Sequence, residues 1–152
     1  MNPAEQDVAW LRLALQQAAS AAAAGEVPIG AVIVRDGTVV AVGENRAIRD
    51  NDPTAHAEIV ALRAAGAALK NYRLSDCEIY STLEPCPMCA GAMLHARLRR
   101  VVYGARDPKA GADGSVLQVL RNDRSNHRPQ VTHGLLAEEC GKLLRDFFAS
   151  RR

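Results

Sequence analysis

The chain has 152 residues, of which 48% are apolar and 24% are charged, and its formal net charge is +2. This composition is typical of one globular domain over residues 1–152, excludes a disordered tail and leaves too little chain for two ordinary domains. No stretch approaches the roughly 20 apolar residues that span a bilayer, so no membrane partner is expected. The N-terminal residues, from Asn2 to Asp7, lack the basic and apolar regions of an export signal. We therefore expect a cytoplasmic protein with reduced cysteines.

Charge is distributed unevenly along the chain. Residues 1–58 carry four arginines and eight acidic groups, a net −4, whereas residues 59–152 carry fifteen basic and nine acidic groups, a net +6. Between Arg97 and Arg128, eight basic residues face three aspartates. Such a stretch can neutralise phosphates. A composition rich in Arg and Ala is also typical of a GC-rich genome, so charge by itself leaves nucleic-acid binding open.

The first part of the chain is predicted to form a helix and a hairpin. Apolar residues recur at helical spacing from Ala4 to Ala24, and Gly25 is a favourable stop. Two β-branched runs, at 29–34 and 39–42, are separated by a short segment that contains Asp-Gly. This arrangement is the strongest short-range signal for a β-hairpin.

A second helix and an alternating second half follow. A polar loop (45–52) leads to Asp52-Pro53-Thr54, which predicts the start of a helix that continues to about Leu69, because Pro suits the first turn and Asp or Thr can cap it. The later segments are predicted as a strand (78–83), a helix (86–96), a strand (100–103), a Gly-rich loop (104–114), a short ordered piece (116–120), a polar loop (121–129), a strand (131–133) and a helix (136–148). This order predicts a mixed sheet covered by helices, a three-layer α/β domain.

Two short segments carry the residues best suited to chemistry. One is His56-Ala57-Glu58 at the start of the second helix, and the other is Pro85-Cys86-Pro87-Met88-Cys89 at the start of the third. Two Cys at positions i and i+3 in the first turn of a helix project to the same side, where both thiolates can reach one metal ion. A helix N-terminus also stabilises anionic sulfur. Zinc is the natural candidate for two thiolates and an imidazole.

The number of ligands distinguishes a catalytic zinc site from a structural one. His56, Cys86 and Cys89 make three, and no second Cys-x2-Cys or His-x3-His pair supplies a fourth. Three protein ligands leave one position for water, whose pKa falls from near 16 to about 7 when zinc binds it. Beside that water, the free carboxylate of Glu58 can take a proton and deliver it to a substrate. The combination indicates hydrolytic attack on an electron-poor carbon.

Each motif alone has a simpler explanation. A lone Cys-x2-Cys can be a buried turn, and a lone His-x-Glu occurs by chance. Occurring together, each at a predicted helix start and without a fourth ligand, they favour catalysis. The remaining cysteines, Cys77 and Cys140, are expected to be ordinary small apolar residues, and the lone His95, His127 and His133 are not expected to bind zinc.

His-x-Glu followed by Pro-Cys-x-x-Cys is the signature of zinc-dependent deaminases. The wider sequence resembles the bacterial tRNA-specific adenosine deaminases over nearly the whole chain. The segments that carry the resemblance are 27–31, Asn45, 52–58, 71–74, 82–92, 104–107 and 146–148. It implies a cytidine deaminase-like fold with a mixed five-stranded sheet flanked by helices, and a homodimer with one zinc ion per subunit. It also implies conversion of adenosine to inosine, with release of ammonia, at the wobble position of a tRNA anticodon, typically that of arginine tRNA.

The resemblance implies roles for individual residues. His56, Cys86 and Cys89 would hold zinc, and Glu58 would move protons between water, a ring nitrogen and the leaving ammonia. The positions that match family contacts to the flipped base or to neighbouring nucleotides are the Asn45 side chain, the Ala57 backbone N–H, Arg106, Asp107 and Lys109 in one loop, and Phe148 and Arg151 in the last helix. An anticodon loop suits this chemistry, because a base leaves an unpaired loop more easily than a duplex.

Two other functions are compatible with the metal motif. A deaminase of free nucleosides or bases, of the cytidine or guanine type, would use the same zinc chemistry. A non-catalytic, zinc-stabilised RNA-binding module would have no need of the non-ligating Glu58. An RNA substrate is favoured by the basic stretch from Arg97 to Arg128 and by a C-terminal helix that ends in Phe147-Phe148 and Arg151-Arg152.

Overall fold

The computed structural model describes residues 1–151 and shows a five-stranded sheet covered by helices. In chain order the elements are α1 (Pro3–Ala23), β1 (Gly30–Arg35), β2 (Thr38–Glu44), α2 (Ala57–Leu69), β3 (Cys77–Leu83), α3 (Pro87–His95), β4 (Arg100–Ala105), β5 (Gln130–His133) and α4 (Ala137–Ala149). The strand order is β2-β1-β3-β4-β5; β1 is antiparallel to β2 and β3, whereas β3, β4 and β5 are parallel. The predicted mixed sheet in a three-layer α/β domain is confirmed. Arg152, named above at the C-terminal end, lies outside the described residues.

The core occupies both faces of the sheet. On β1, Val32 and Val34 pack with Leu11 of α1, whereas Ala31 and Ile33 belong to the cluster formed with α2 and α3. Because both faces of β1 are buried, its sequence is a continuous apolar run without alternation. Helix α4 packs beside α1 on one face, and α2 packs beside α3 on the other. These two helix layers complete the three-layer architecture.

Most predicted elements agree with the observed bounds to within two residues. In the turn between β1 and β2, Asp36 and Gly37 have φ angles of 50° and 73°, the left-handed conformations that an Asp-Gly hairpin turn uses. The segment predicted to be ordered at 116–120 forms no helix or strand; one isolated bridge joins Asp113 to Gln118. Within residues 1–151, no helix is both long and apolar enough to cross a bilayer.

The predicted start of α2 at residues 52–54 is wrong, because the helix begins at Ala57. The Asp52 carboxylate accepts hydrogen bonds from the N–H and hydroxyl of Thr54 (2.9 and 2.7 Å) and so closes a turn instead of capping the helix. His56 is the N-cap residue, and its side chain makes no capping hydrogen bond. The first turn of α2 lies directly on β2 at Gly43, where a Cβ would overlap the Ala57 carbonyl oxygen. Because its side chain makes no capping hydrogen bond, the His56 ring is available to a site beyond the helix end.

Candidate active site

Three predicted metal ligands meet where two helices begin. His56 is the N-cap of α2, Cys86 is the N-cap of α3, and Cys89 lies in the first turn of α3. The Nδ1 atom of His56 is 3.5 Å from each of the two sulfurs, and all three donor atoms lie within 4.8 Å of one another. The structure thus brings together side chains that are 30 and 33 positions apart in the sequence.

The turn between β3 and α3 stabilises a thiolate. Strand β3 ends at Leu83 and α3 begins at Pro87, whose fixed φ suits the first helical position. The Cys86 sulfur accepts a hydrogen bond from the Cys89 N–H (3.5 Å), one of the helix-start donors that lack an intrahelical acceptor. Side-chain hydrogen bonds from Cys89 and His56 lower the pKa of Cys86 to about 4. Donation to Cys86, together with burial, raises the pKa of the Cys89 thiol.

The donor set and its dimensions fit zinc. In tetrahedral coordination with Zn–N of about 2.0 Å and Zn–S of about 2.3 Å, a nitrogen and a sulfur ligand lie about 3.5 Å apart. The observed Nδ1–Sγ separations of 3.5 Å match this value. Within residues 1–151, no fourth His, Cys, Asp or Glu joins the cluster. Two thiolates and one imidazole are typical of zinc sites that keep one coordination position for water or substrate.

Glu58 lies beside this cluster and is 4% exposed. Burial raises the pKa of Glu58 to about 7; the Cys86 sulfur adds to the rise, and His56 opposes it. A carboxyl group with such a pKa can both accept and release a proton near neutrality. The structure therefore places a buried carboxyl group next to the three candidate ligands without making it a fourth ligand.

The two residues predicted to contact the base also contact each other. The Ala57 N–H donates to Oδ1 of Asn45 (2.8 Å), and Asn45 is 8% exposed. The Arg49 guanidinium donates to the Asn45 carbonyl oxygen (2.6 Å) and to the buried carboxylate of Glu26 (3.1 Å). Oδ1 is thus occupied, whereas the Asn45 amide nitrogen is not among the buried polar atoms without a partner and remains a donor suited to another molecule.

The loop after β4 is held by two buried carboxylates whose roles the sequence did not predict. Glu84 accepts hydrogen bonds from the backbone N–H groups of Asp107 (3.0 Å) and Asp113 (2.8 Å). Asp113 in turn accepts from the Tyr103 hydroxyl (2.7 Å) and from two nitrogens of Arg121 (2.8 Å each). Both carboxylate side chains are 0% exposed. The one feature of the sequence that pointed to a special role for Glu84 is its position, as an acidic residue directly after an apolar strand.

The predicted RNA contacts form two groups on the surface. In the loop after β4, the Arg106 side chain is 46% exposed, and the Asp107 carboxylate accepts the N–H of the exposed Lys109 (3.0 Å). At the end of α4, Phe148 is 48% exposed, and the Arg151 guanidinium lies 3.8 Å from the centre of the neighbouring phenylalanine ring. Neither group belongs to the metal-ligand cluster. To contact the cluster, the loop after β4 and the end of α4 together, a ligand must be large enough to reach all three.

Ion pairs reduce the free charge of the basic stretch. Arg99 is paired with Glu78, Arg100 with Asp7 and Arg121 with Asp113, at 2.7 to 2.8 Å. A fourth and longer pair joins Arg106 to Glu84 at 3.9 Å. Within residues 1–151, the members of the stretch that have no ion-pair partner are Arg97, Lys109, Arg124 and Arg128. Half of the eight basic groups are therefore compensated, which composition alone could not indicate.

The remaining cysteines and histidines stand apart from the cluster. Cys77 and Cys140 are buried in the protein interior at 0% and 1% exposure. His127 makes a hydrogen bond through Nε2 to the Leu98 carbonyl oxygen (2.7 Å). The ring of His133 stacks on a tyrosine ring with centroids 5.3 Å apart. Within residues 1–151, the metal-ligand cluster comprises only the three residues predicted for it.

Comparisons with known proteins show which family this chain resembles. The family model described as MafB19-like deaminase matches residues 5–152. A tRNA-specific adenosine deaminase of Haemophilus influenzae is 49% identical over 149 residues, which cover 97% of this chain and 86% of that protein. A structure from studies of A-to-I editing by tRNA deaminases at the wobble position is 47% identical, with a TM-score of 0.86 and coverage of 89% of this chain and 98% of that one.

A guanine deaminase from Nitrosomonas europaea has the same fold but a lower similarity. Its structure gives a TM-score of 0.80 at 30% identity, covering 93% of this chain and 84% of that one. The extent and identity of the matches to the tRNA-specific group, together with the site geometry, decide the assignment. The chain belongs to the family of bacterial tRNA-specific adenosine deaminases.

Proposed function

We propose that this protein hydrolyses adenosine to inosine at the wobble position of a tRNA anticodon, with one zinc ion per subunit and with arginine tRNA as its substrate. The observation that carries the chemical part is the juxtaposition of three zinc-type ligands with the buried, non-ligating Glu58. The substrate part is supported by what the relatives are named to act on. The protein would act as a single deaminase domain over residues 1–152.

The reaction adds one water molecule and releases one ammonia. His56, Cys86 and Cys89 would hold the zinc, which when bound supplies the activation that brings the pKa of a water molecule to about 7. Glu58 would take a proton from the attacking water and deliver one to a ring nitrogen of the adenine as the water oxygen bonds to C6. It would then give a proton to the exocyclic amino group, and the C6–N bond would break to release ammonia. Its raised pKa of about 7 suits both directions of transfer at neutral pH.

The adenine base would be held beside the start of α2. The amide nitrogen of Asn45 is a donor suited to an acceptor nitrogen of the purine. The Ala57 N–H already donates to Asn45, so a contact between Ala57 and the base requires this donor to be shared. The Arg49 contact to the Asn45 carbonyl oxygen fixes the backbone from which the amide projects. We therefore expect Asn45 to be the principal base contact of the pair.

The nucleotides that flank the adenosine would contact the two surface groups. Arg106, Asp107 and Lys109 offer charge and hydrogen-bonding groups in the loop after β4. Phe148 offers an exposed ring at the end of α4, and stacking of a base on such a ring contributes about 1–3 kcal/mol. The uncompensated cations of the basic stretch would neutralise phosphates.

The proposal is tested with an anticodon stem-loop of arginine tRNA that carries adenosine at the wobble position. Inosine is measured by mass spectrometry after digestion, with free adenosine, cytidine and guanine assayed in parallel and Glu58→Ala as the inactive control. Inosine from the stem-loop alone is the expected result. If product forms only from a free nucleoside or base, the substrate is a small molecule and not tRNA, whereas the proposed zinc chemistry stands.

The oligomeric state and location are part of the same proposal. We expect a homodimer, so the mass in solution should be twice the 16.3 kDa of one chain. Light scattering at several concentrations measures this directly. Since the proposed substrate is tRNA, the protein should be found in the cytoplasmic fraction of cells that produce it.

A further inference from the structure

The loop that follows β4 is wrapped around a single carboxylate, that of Glu84. One oxygen accepts the Asp107 N–H (3.0 Å) and the Ser115 hydroxyl, and the other accepts the N–H groups of Asp113 (2.8 Å) and Ser115 (3.3 Å). Glu84 is 1% exposed, so these donors take the place of water. The course of the loop over residues 107–115 therefore depends on a side chain that lies outside it.

Gly111 shows how closely the loop approaches this carboxylate. A Cβ placed on Gly111 would overlap the carboxylate carbon and both oxygens of Glu84. The backbone at Gly111 thus lies against the group with no space for a methyl. This close approach is a second observation, independent of the hydrogen bonds, that the loop is fitted to Glu84.

The same contacts join the loop to the turn that carries the metal ligands. Glu84 stands two positions before Cys86, and its N–H donates to the Ala105 carbonyl oxygen (2.8 Å) at the end of β4. The Ala112 N–H donates to the carbonyl oxygen of Pro85 (2.8 Å), the residue directly before Cys86. A displacement of Glu84 would therefore shift the loop relative to the metal ligands.

We propose that Glu84 is a positioning residue that holds the 107–115 loop in place for the nucleotides beside the reacting adenosine. This inference rests on the proposed function. Glu84 is buried and is not one of the three candidate metal ligands, so we expect its loss to affect RNA binding and to leave the chemical step unchanged. Its loss should lower kcat/KM for the stem-loop on the order of tenfold, mainly through KM, because the loop would present its side chains in a displaced position.

The sharpest test uses Glu84→Asp, Gly111→Ala and the double variant. Each single change should raise KM. Glu84→Asp withdraws the carboxylate about 1.5 Å from its donors, and Gly111→Ala pushes the carboxylate away from the loop. In the double variant, the shorter side chain leaves room for the added methyl group. The KM of the double variant should therefore be no higher than that of the more impaired single variant, whereas independent effects of the two changes on KM would multiply.

A second measurement separates positioning from a general loss of structure. The variants are compared on the normal stem-loop and on one from which the bases flanking the wobble adenosine have been removed. The rise in KM of the variants over wild type should largely disappear on the second substrate. Without the flanking bases, neither the wild type nor the variants can make the contacts that the loop supplies. A penalty of equal size on both substrates would overturn the proposal.

Two controls keep the test decisive. Gly66→Ala in α2 adds a methyl where its nearest contact is an ordinary 3.5 Å, and it should leave kinetics unchanged. If the Glu84 variants fail to fold, Ser115→Ala removes one donor and leaves three N–H donors, so it should show the same substrate dependence with a smaller shift. Zinc content should stay at one per chain in every variant. Wild-type protein that makes no inosine from the stem-loop would refute the proposed function itself, whereas an active wild type with unaffected variants would refute only the role of Glu84.

Discussion

The metal cluster and the loop after β4 are constructed by different means. The cluster consists of side chains in two short motifs, each at the start of a helix, so local helix geometry sets most of their positions. The loop is held by Glu84, which lies 23 and 29 positions from the backbone N–H groups that it binds. The comparison predicts two kinds of defect: changes in the cluster should abolish turnover, and changes in the loop should weaken RNA binding.

The largest effect is expected for Cys86→Ala. This change leaves two of the three zinc ligands, so stoichiometric zinc should be lost and inosine formation should become undetectable. Metal analysis of the purified variant measures the first outcome, and the stem-loop assay measures the second. Cys77→Ala is the matched control, since Cys77 is a fully buried cysteine outside the cluster and should retain zinc. One zinc per chain in Cys86→Ala would contradict the ligand assignment.

Glu58→Gln should separate the chemistry from both metal and RNA binding. The amide has nearly the same size but cannot exchange a proton as the carboxyl group does, so kcat should fall by about 10²- to 10⁴-fold. Zinc content and the Kd for the stem-loop should remain close to those of wild type. Single-turnover assays together with filter binding measure the two quantities. Near-normal turnover would falsify the proton-transfer role.

The difference in construction also explains what the sequence could predict. Two cysteines three positions apart, and a histidine two positions before a glutamate, can be recognised in the sequence because the residue types themselves specify the side-chain chemistry. The role of Glu84 cannot be recognised in this way, because most of its donors are backbone N–H groups, which every residue except proline possesses. An acidic residue such as Glu84 therefore gives no sequence-level indication of which distant segment it binds.

The start of α2 shows a different limit. Asp-Pro-Thr is a good helix start by local preference, and the same residues are equally favourable in a turn. The choice is made by tertiary contacts: Asp52 closes on Thr54, and the first turn of α2 packs on Gly43. The strands and the other helices were predicted closely, because hydrophobic pattern and turn residues agree with the packing that the fold provides.

Lys109→Ala should produce a smaller defect, confined to RNA binding. Lys109 is exposed in the loop and has no ion-pair partner within residues 1–151. If it neutralises a phosphate, its removal should lower the slope of log affinity against log salt by about 0.7 to 0.9 and leave kcat unchanged. Filter binding across a salt series measures this slope. Lys142→Ala is the matched control, because Lys142 is equally a surface lysine but is paired with Asp146 on α4 (2.6 Å).

The smallest effect on activity is expected for Asp7→Asn, although its effect on stability is large. Asp7 binds Arg100 through two hydrogen bonds (2.8 and 2.7 Å) and the Tyr80 hydroxyl (2.9 Å). Arg100 begins β4, whereas the loop that contributes to the site follows Ala105 at the other end of this strand. Activity per folded molecule should therefore equal that of wild type. Removing one partner of this mostly buried pair should lower the free energy of unfolding by about 3 kcal/mol near neutral pH.

The pH dependence of this loss tests its electrostatic origin. Burial alone would raise the pKa of Asp7, but the hydrogen bonds from Arg100 and Tyr80 lower it below the ordinary value of 3.8. A carboxyl group with a depressed folded-state pKa contributes stability that is fully present above its unfolded pKa and is lost as the pH falls through the folded pKa. The difference in unfolding free energy between wild type and Asp7→Asn should thus be constant from pH 7 to about 5 and shrink below pH 3.8. Denaturant titrations at each pH measure it, and a difference that stays constant into strong acid would assign the stability of this end of the sheet to packing instead of charge.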